Sequence, residues 1–176
     1  MAEPSAVSQL AALLGGHAKP VIRPQRLAPA TIYDIDYRMA VVALTIHAHG
    51  AKTDDGELRI DSARLKLFQF IAQRPNMIPA MNEWARSKHA SGLLRDSSQR
   101  LRRGYLGDGT YDQVVEYMMA CKIIRVEGRS FISEKPSQYI SEIAAATEAQ
   151  DMFVSERTVL QELAKLRVTN AMLEGQ

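Results

Sequence analysis

The chain of 176 residues has little of three features that would place it in a class directly: cysteine, long apolar runs and net charge. Its only cysteine, Cys121, leaves no partner for a disulfide within the chain, and a domain of this length does not need one. Because Cys121 lies inside an apolar helical stretch, we expect a small buried side chain and not a reactive thiol.

Long apolar runs are also missing. No run approaches the roughly 20 residues that a membrane-spanning helix requires. Residues 5–14 lack both the basic start and the apolar length of a signal peptide. The sequence therefore predicts a soluble cytoplasmic protein that has no membrane partner.

The net charge is only +2, which excludes the class of strongly basic proteins that bind nucleic acid over their whole surface. The positive charge is nevertheless concentrated. Residues 86–103, called the basic segment below, carry six basic side chains and one acidic one, so their excess of +5 leaves −3 for the rest of the chain. Residues 93–109 show little periodicity, and we expect an exposed connection there with no more than one helical turn.

Arginine presents a planar fork of N–H donors that matches phosphate and carboxylate oxygens. We therefore predict the following nucleic-acid or partner-binding residues: Arg95, Arg100, Arg102, Arg103 and, on a later hairpin, Arg129. Arg125 on the same hairpin would extend this surface if it faces the same way. Three interpretations of the basic segment stay open: contact with a DNA backbone, docking onto an acidic partner protein, or a solvated loop.

Motifs for catalysis or metal binding are missing from the sequence. His47 and His49 are two residues apart, and on a helix such a pair diverges by roughly 200°, so it cannot chelate one ion. Three glycines between residues 104 and 109 precede Thr110, but the spacing fits neither nucleotide-binding fingerprint, and Thr110 is predicted only to cap a helix. We predict that the protein is not an enzyme and binds no cofactor or metal.

Residues 110–133 (TYDQVVEYMMACKIIRVEGRSFIS) change their apolar spacing from helical to alternating within one stretch. The first half predicts a helix, and the second half predicts a hairpin that turns at Glu127-Gly128. A helix that leads directly into a hairpin is the C-terminal half of a winged-helix module. Residues 57–60 are expected to form at most a short edge strand.

Two helices are predicted upstream of this stretch. An apolar stripe predicts a helix over residues 62–73, which Asp61 caps and which packs against the helix of residues 111–122. Residues 37–48 are apolar around most of their circumference and predict a buried central helix that begins near Asp34 or Asp36. We therefore predict a fold that is mainly α with a small β-hairpin, built on a winged-helix-like core.

Three parts of the chain follow from these elements. Residues 1–30 contain three prolines after a short Ala/Leu segment and predict an N-terminal arm. Residues 31–135 form the winged-helix-like core. Residues 136–176 form a C-terminal helical extension with helices over residues 137–150 and 155–173. The last of these helices either packs on its own domain or binds a partner.

Three stretches resemble a known group of proteins. They are residues 37–45 (YRMAVVALT), 65–75 (LKLFQFIAQRP) and 111–125 (YDQVVEYMMACKIIR). Their order is similar to that in the middle component of ABC-three-component anti-phage systems, the group that includes Lamassu. The resemblance implies a non-enzymatic accessory subunit of a hetero-oligomer, which bridges an SMC-like ATPase subunit and an effector subunit. If such a complex contacts DNA, we expect the contact near the basic segment.

A second function stays open from the residues alone. A winged-helix-like core is also typical of a free-standing transcriptional regulator that binds DNA. Such a regulator is normally a symmetric homodimer that reads a palindromic site. A bridging subunit is instead expected to become ordered together with its partners.

Overall fold

A computed structural model describes residues 34–86, 92–134, 138–169 and 173 of the chain, and in residues 92–98 it describes the backbone only. The predicted N-terminal arm of residues 1–30 lies outside these ranges. The described elements form a mainly helical fold with a small antiparallel sheet. No described helix combines the length and the apolar character that crossing a membrane requires.

Helix α1 (Ile35–His49) is the central element, as predicted. The carboxylate of Asp34 caps its start by accepting hydrogen bonds from the N–H groups of Asp36 and Tyr37, at 3.0 and 3.3 Å. Every residue from Arg38 to Ile46 is buried, because other helices and the sheet surround this helix.

The sheet contains β1 (Ala51–Lys52), β2 (Leu58–Asp61), β3 (Ile124–Glu127) and β4 (Ser130–Ser133), in the order β1-β2-β4-β3. Strands β3 and β4 confirm the predicted hairpin, but its loop is Gly128-Arg129, one residue later than the predicted turn at Glu127-Gly128. Its two-residue loop begins with Gly128, whose φ of 61° is the left-handed value that the first loop residue of a type II′ turn requires.

The prediction of an edge strand at residues 57–60 was wrong, because β2 is an interior strand. It pairs with β1 on one side and with β4 on the other, where Ile60 lies opposite Phe131. Both of these side chains are buried. The pairing of β2 with β4 joins residues about 70 positions apart. The alternation of apolar and polar residues within one segment therefore could not predict it.

Helix α2 (Ser62–Ala72) begins at the end of β2, and Asp61 caps it as predicted. A single 3-10 turn (Pro75–Met77) and helix α3 (Ile78–Arg86) follow. The next element is helix α4 (Gly92–Leu106). The expected exposed connection at residues 93–109 was therefore wrong.

Buried packing explains why a glycine-containing, polar segment is helical. Leu101 and Tyr105 lie one turn apart on α4 and are almost fully buried. Gly104 lies against Phe70 of α2, where a Cβ atom would come within 2.7 Å of the Phe70 Cζ atom. The glycine that suggests a loop in the sequence is the residue that lets two helices approach each other.

Helix α5 (Gly109–Ala120) confirms the predicted helix before the hairpin and buries Tyr111, Val114, Val115 and Met118. It packs mainly on α1, and not chiefly on α2 as predicted. Cys121 follows the helix as its C-cap residue and is exposed. The expectation of a buried cysteine was wrong because the helix ends one residue before it.

Helices α6 (Tyr139–Ala149) and α7 (Val154–Ala164) complete the fold. Helix α6 packs on α1, and α7 packs on α1 and α2. The predicted helix over residues 155–173 ends at Ala164, nine residues early. Its buried residues Val159, Leu160 and Leu163 belong to the core, which favours self-packing of this helix over partner binding.

The order α1, β2, α2, α5, β3, β4 is that of a winged-helix module, with α3 and α4 inserted between its second and third helices. Helix α5 therefore directly precedes the hairpin, as the third helix of a winged-helix module does.

Candidate partner-binding surface

The predicted arginines of the basic segment lie on α4. Arg100 and Arg103 are exposed and one helical turn apart, and neither makes a hydrogen bond or ion pair with any described residue. Arg102 is half-buried, and its Nε atom is buried without a hydrogen-bond partner in the described ranges. Arg95 is part of the same helix, but its side chain lies outside the described residues. The structure thus brings Arg100 and Arg103 together on one exposed helical surface.

Arg129 lies elsewhere. It is exposed at the tip of the hairpin, where its carbonyl oxygen accepts a hydrogen bond from the Ser62 N–H group at 2.9 Å. This contact places Arg129 at the start of α2, whereas Gly104 of α4 packs on Phe70 near the end of α2. Ser62 and Phe70 are about 12 Å apart along the helix axis.

The hairpin arginine Arg125 does not extend the basic surface. Its guanidinium donates two hydrogen bonds to the Glu57 carboxylate, at 3.0 and 2.7 Å. Arg59 of β2 similarly forms an ion pair with Glu127 at 2.6 Å. Both pairs reach across β4, which lies between β2 and β3, so the charges of both arginines are balanced within the sheet.

The exposed surface of α5 is acidic. Its exposed residues are Gly109, Asp112, Gln113, Glu116, Tyr117 and Ala120, and the helix contains no lysine, arginine or histidine. Asp112 contacts Lys66 at 3.1 Å but remains 60% exposed. Glu116 has no hydrogen bond or ion pair to any residue that the structure describes.

Tyr117 is the aromatic residue of this surface, and half of its side chain is exposed. A hydrogen bond with Cys121 and, more weakly, the charge of Asp36 raise the pKa of the Tyr117 hydroxyl. Asp36 is itself exposed at the start of α1. We define the acidic face as the carboxylates of Asp36, Asp112 and Glu116 together with Tyr117. In the sequence, the i, i+4 spacing of Asp112 and Glu116 was the signal from which this face could have been predicted.

A buried ion pair fixes the start of α5. The guanidinium of Arg38 donates to both carboxylate oxygens of Asp108, and its Nε donates to Gln73 Oε1 at 3.3 Å. Asp108 occupies the N-cap position of α5 but makes no capping hydrogen bond, because Arg38 holds its carboxylate. The predicted cap, Thr110, instead lies inside the helix, so that prediction was wrong.

The electrostatics of this pair follow from its burial. The side chains of Arg38 and Asp108 are only 2% and 7% exposed. Burial acts to raise the pKa of the Asp108 carboxyl, but the hydrogen bonds and charge of Arg38 outweigh it and hold the pKa below its usual value. The carboxylate is therefore charged at neutral pH.

The two histidines do not face one another. His47 is exposed, whereas His49 is half-buried with its Nε2 atom 3.1 Å from the Leu160 carbonyl oxygen and its ring edge-on to Phe68. Burial lowers the pKa of His49. The described ranges contain no group of three or more side chains arranged to hold a metal ion.

Comparisons of the chain with protein-family models, with curated proteins and with solved structures found no match.

Proposed function

We propose that this protein is a non-catalytic accessory subunit of a hetero-oligomer and that its acidic face binds a protein partner. The observation that carries the proposal is the chemistry of α5. This helix, which would be the recognition helix if the protein were a winged-helix DNA-binding protein, exposes two carboxylates and a tyrosine, and it contains no lysine, arginine or histidine.

This chemistry suits a protein partner better than DNA. A protein that binds the phosphate backbone does so with lysine and arginine, and it gains affinity by releasing counterions. Asp112 and Glu116 would instead repel the phosphates on either side of a groove. An exposed tyrosine surrounded by charged residues is a common anchor in protein interfaces, where aromatic residues contribute much of the binding energy.

The sequence resemblance supplies the identity of the proposed partners. If the chain is the middle component of an ABC-three-component anti-phage complex in the bacterial cytoplasm, its partners are an SMC-like ATPase and an effector. We assign the acidic face to the ATPase or the effector. Arg100 and Arg103 on α4 are the place where the assembled complex would contact DNA, since both guanidinium groups are exposed and unpaired among the described residues.

The alternative is a free-standing winged-helix transcriptional regulator. Its support is the order of the elements, which places a helix before a hairpin. It requires α5 to enter a DNA groove, however, and the acidic face disfavours that geometry.

The test is assembly of the complex. The full chain is co-expressed with the ATPase and effector encoded beside its own gene, and the complex is isolated through a tag on the ATPase. The double variant Glu116→Lys, Tyr117→Ala should weaken recovery of this subunit at least about tenfold, as loss of an interface anchor does. The matched control is Glu148→Lys, which reverses the charge of an exposed residue on α6.

Retention of the complex by the double variant, with circular dichroism showing native folding, would remove the acidic face as the binding surface. If the wild-type chain binds neither neighbour but binds a palindromic DNA site as a homodimer, the transcriptional regulator is the correct function.

A further inference from the structure

A polar pocket of about 230 Å³ lies beside the start of α5. Its polar side chains are those of Arg38, Arg74, Asp108 and Thr110. The rest of its wall is formed by three glycines, at positions 104, 107 and 109, so backbone and charged groups are accessible within a small volume. This pocket is separate from the acidic face, whose residues do not line it.

Arg38 has unused donors at this pocket. A guanidinium carries five N–H groups, and the described residues accept hydrogen bonds from three of those of Arg38, one from Nε and one from each terminal nitrogen. The side chain is 2% exposed, so the remaining two N–H groups are largely shielded from bulk water. A buried donor without an acceptor is costly, and an acceptor that enters the pocket would remove that cost.

Arg74 supplies the second cation. Its guanidinium stacks on the Phe70 ring, 4.1 Å from the ring centroid. Asp108 is the one acidic side chain among the residues that line the pocket, beside the two arginines. The start of α5 adds the partial positive charge of a helix N-terminus.

Thr110 supplies two further donors. Within the described residues, neither its N–H group nor its hydroxyl makes a hydrogen bond. The N–H groups on either side are occupied, because Gly109 donates to the Gly107 carbonyl and Tyr111 to the Asp108 carbonyl, at 3.0 and 3.2 Å. Asp108 does not compete for the Thr110 donors, since Arg38 holds its carboxylate.

We propose that this pocket binds the phosphate group of a small molecule. Phosphate oxygens match the fork of an arginine, the N–H group of Thr110 and its hydroxyl. A single phosphate is small enough to contact only the donors of the pocket. A nucleic-acid strand would also extend along α5 toward Asp112 and Glu116, which disfavours it as the ligand.

The probe is inorganic phosphate, added to the purified full chain and followed by isothermal titration calorimetry. We expect saturable binding of one phosphate per chain that sodium chloride at equal ionic strength does not reproduce. Arg74→Gln should weaken it at least about tenfold, the usual effect of losing one charge-assisted hydrogen bond. The matched control is Arg103→Gln, which removes the same charge from an exposed residue outside the pocket and should leave phosphate affinity unchanged.

A second variant covers the case in which loss of Arg74 impairs folding. Thr110→Val keeps the shape of the side chain and removes its hydroxyl, and it should weaken phosphate binding several-fold. Absence of saturable binding, or equal loss in Arg74→Gln and Arg103→Gln, would overturn the proposal. Competition by a short DNA duplex without terminal phosphates would show that a nucleic-acid backbone uses the pocket, which would overturn the small-molecule assignment. None of these variants alters the acidic face, so this result and the assembly test are independent.

Discussion

Arg38 and Asp108 form a buried ion pair with two hydrogen bonds, Nη1 to Oδ1 at 3.0 Å and Nη2 to Oδ2 at 2.6 Å. The two residues are 70 positions apart in the chain. The pair joins the first turn of α1 to the residue before α5, and Gln73 at the end of α2 completes it. Three helices of the core thus meet at a single guanidinium.

Removing the charge of Asp108, the acidic partner of Arg38, should therefore lower the free energy of unfolding. Asp108→Asn leaves the charge of Arg38 buried without its counter-ion, and such a change typically costs about 3–5 kcal/mol of unfolding free energy. Urea denaturation followed by circular dichroism measures this loss. The control is Asp112→Asn, which breaks the pair of a mostly exposed carboxylate with Lys66 and should cost less than about 1 kcal/mol. Equal, small effects of the two variants would contradict the structural role of the buried pair.

His49 should make stability depend on pH. Burial, with a further contribution from the charge of Arg64, lowers its pKa in the folded state below the ordinary value of 6.5, although the hydrogen bond to Leu160 opposes this. The unfolded chain therefore binds a proton more readily than the folded one. The contribution of neutral His49 to the free energy of unfolding is complete above pH 6.5. It is lost as the pH falls from there through the folded-state pKa of His49.

The measurement for His49 is the free energy of unfolding in urea between pH 5 and pH 8. Wild type should lose stability below pH 6.5, and His49→Gln should lose less over the same interval. The exposed His47 provides the control through His47→Gln, which should keep the slope of wild type. An unchanged slope in His49→Gln would show that other groups cause the pH dependence.

Gly104 should not tolerate a methyl group. Alanine is the better helix former by about 1 kcal/mol, but its Cβ would lie 2.7 Å from the Phe70 Cζ atom. Overpacking of this kind costs about 1–3 kcal/mol, so we expect Gly104→Ala to lower the melting temperature. Gly109→Ala is the matched control, because nothing lies within 4 Å of a Cβ at that position. A melting temperature for Gly104→Ala at or above that of the control would mean that α4 and α2 are not closely packed there.

The exposed arginines of α4 give a separate prediction for the assembled complex. Arg100→Glu together with Arg103→Glu should weaken DNA binding on all sequences alike and reduce its dependence on salt, because phosphate contacts release counterions without reading bases. Filter binding at several salt concentrations measures both effects, and assembly of the complex should survive. A complex that dissociates while the remaining subunits keep their DNA affinity would identify this surface as a protein dock.

The sequence by itself determined the elements that local forces specify. Asp34 and Asp61 cap helices as their positions predict, because a cap acts within three residues of itself. The hairpin turns at Gly128, where the required backbone angle favours glycine. The buried central helix follows from the apolar character of residues 37–48, which leaves it no polar side to present to solvent.

Only the tertiary structure decided the features that depend on distant residues. The helix at Gly92–Leu106 exists because Leu101 and Tyr105 are buried in the core, which its polar composition does not show. Strand β2 becomes an interior strand only when β4 pairs with it. The candidate sites have the same origin, because the acidic face needs α1 beside α5, and the phosphate pocket needs Arg38 and Arg74 beside a turn some 30 to 70 positions later in the chain. Local propensities determine which secondary structures each segment can form. Packing against distant segments then decides which charges are neutralised and which remain available to a ligand.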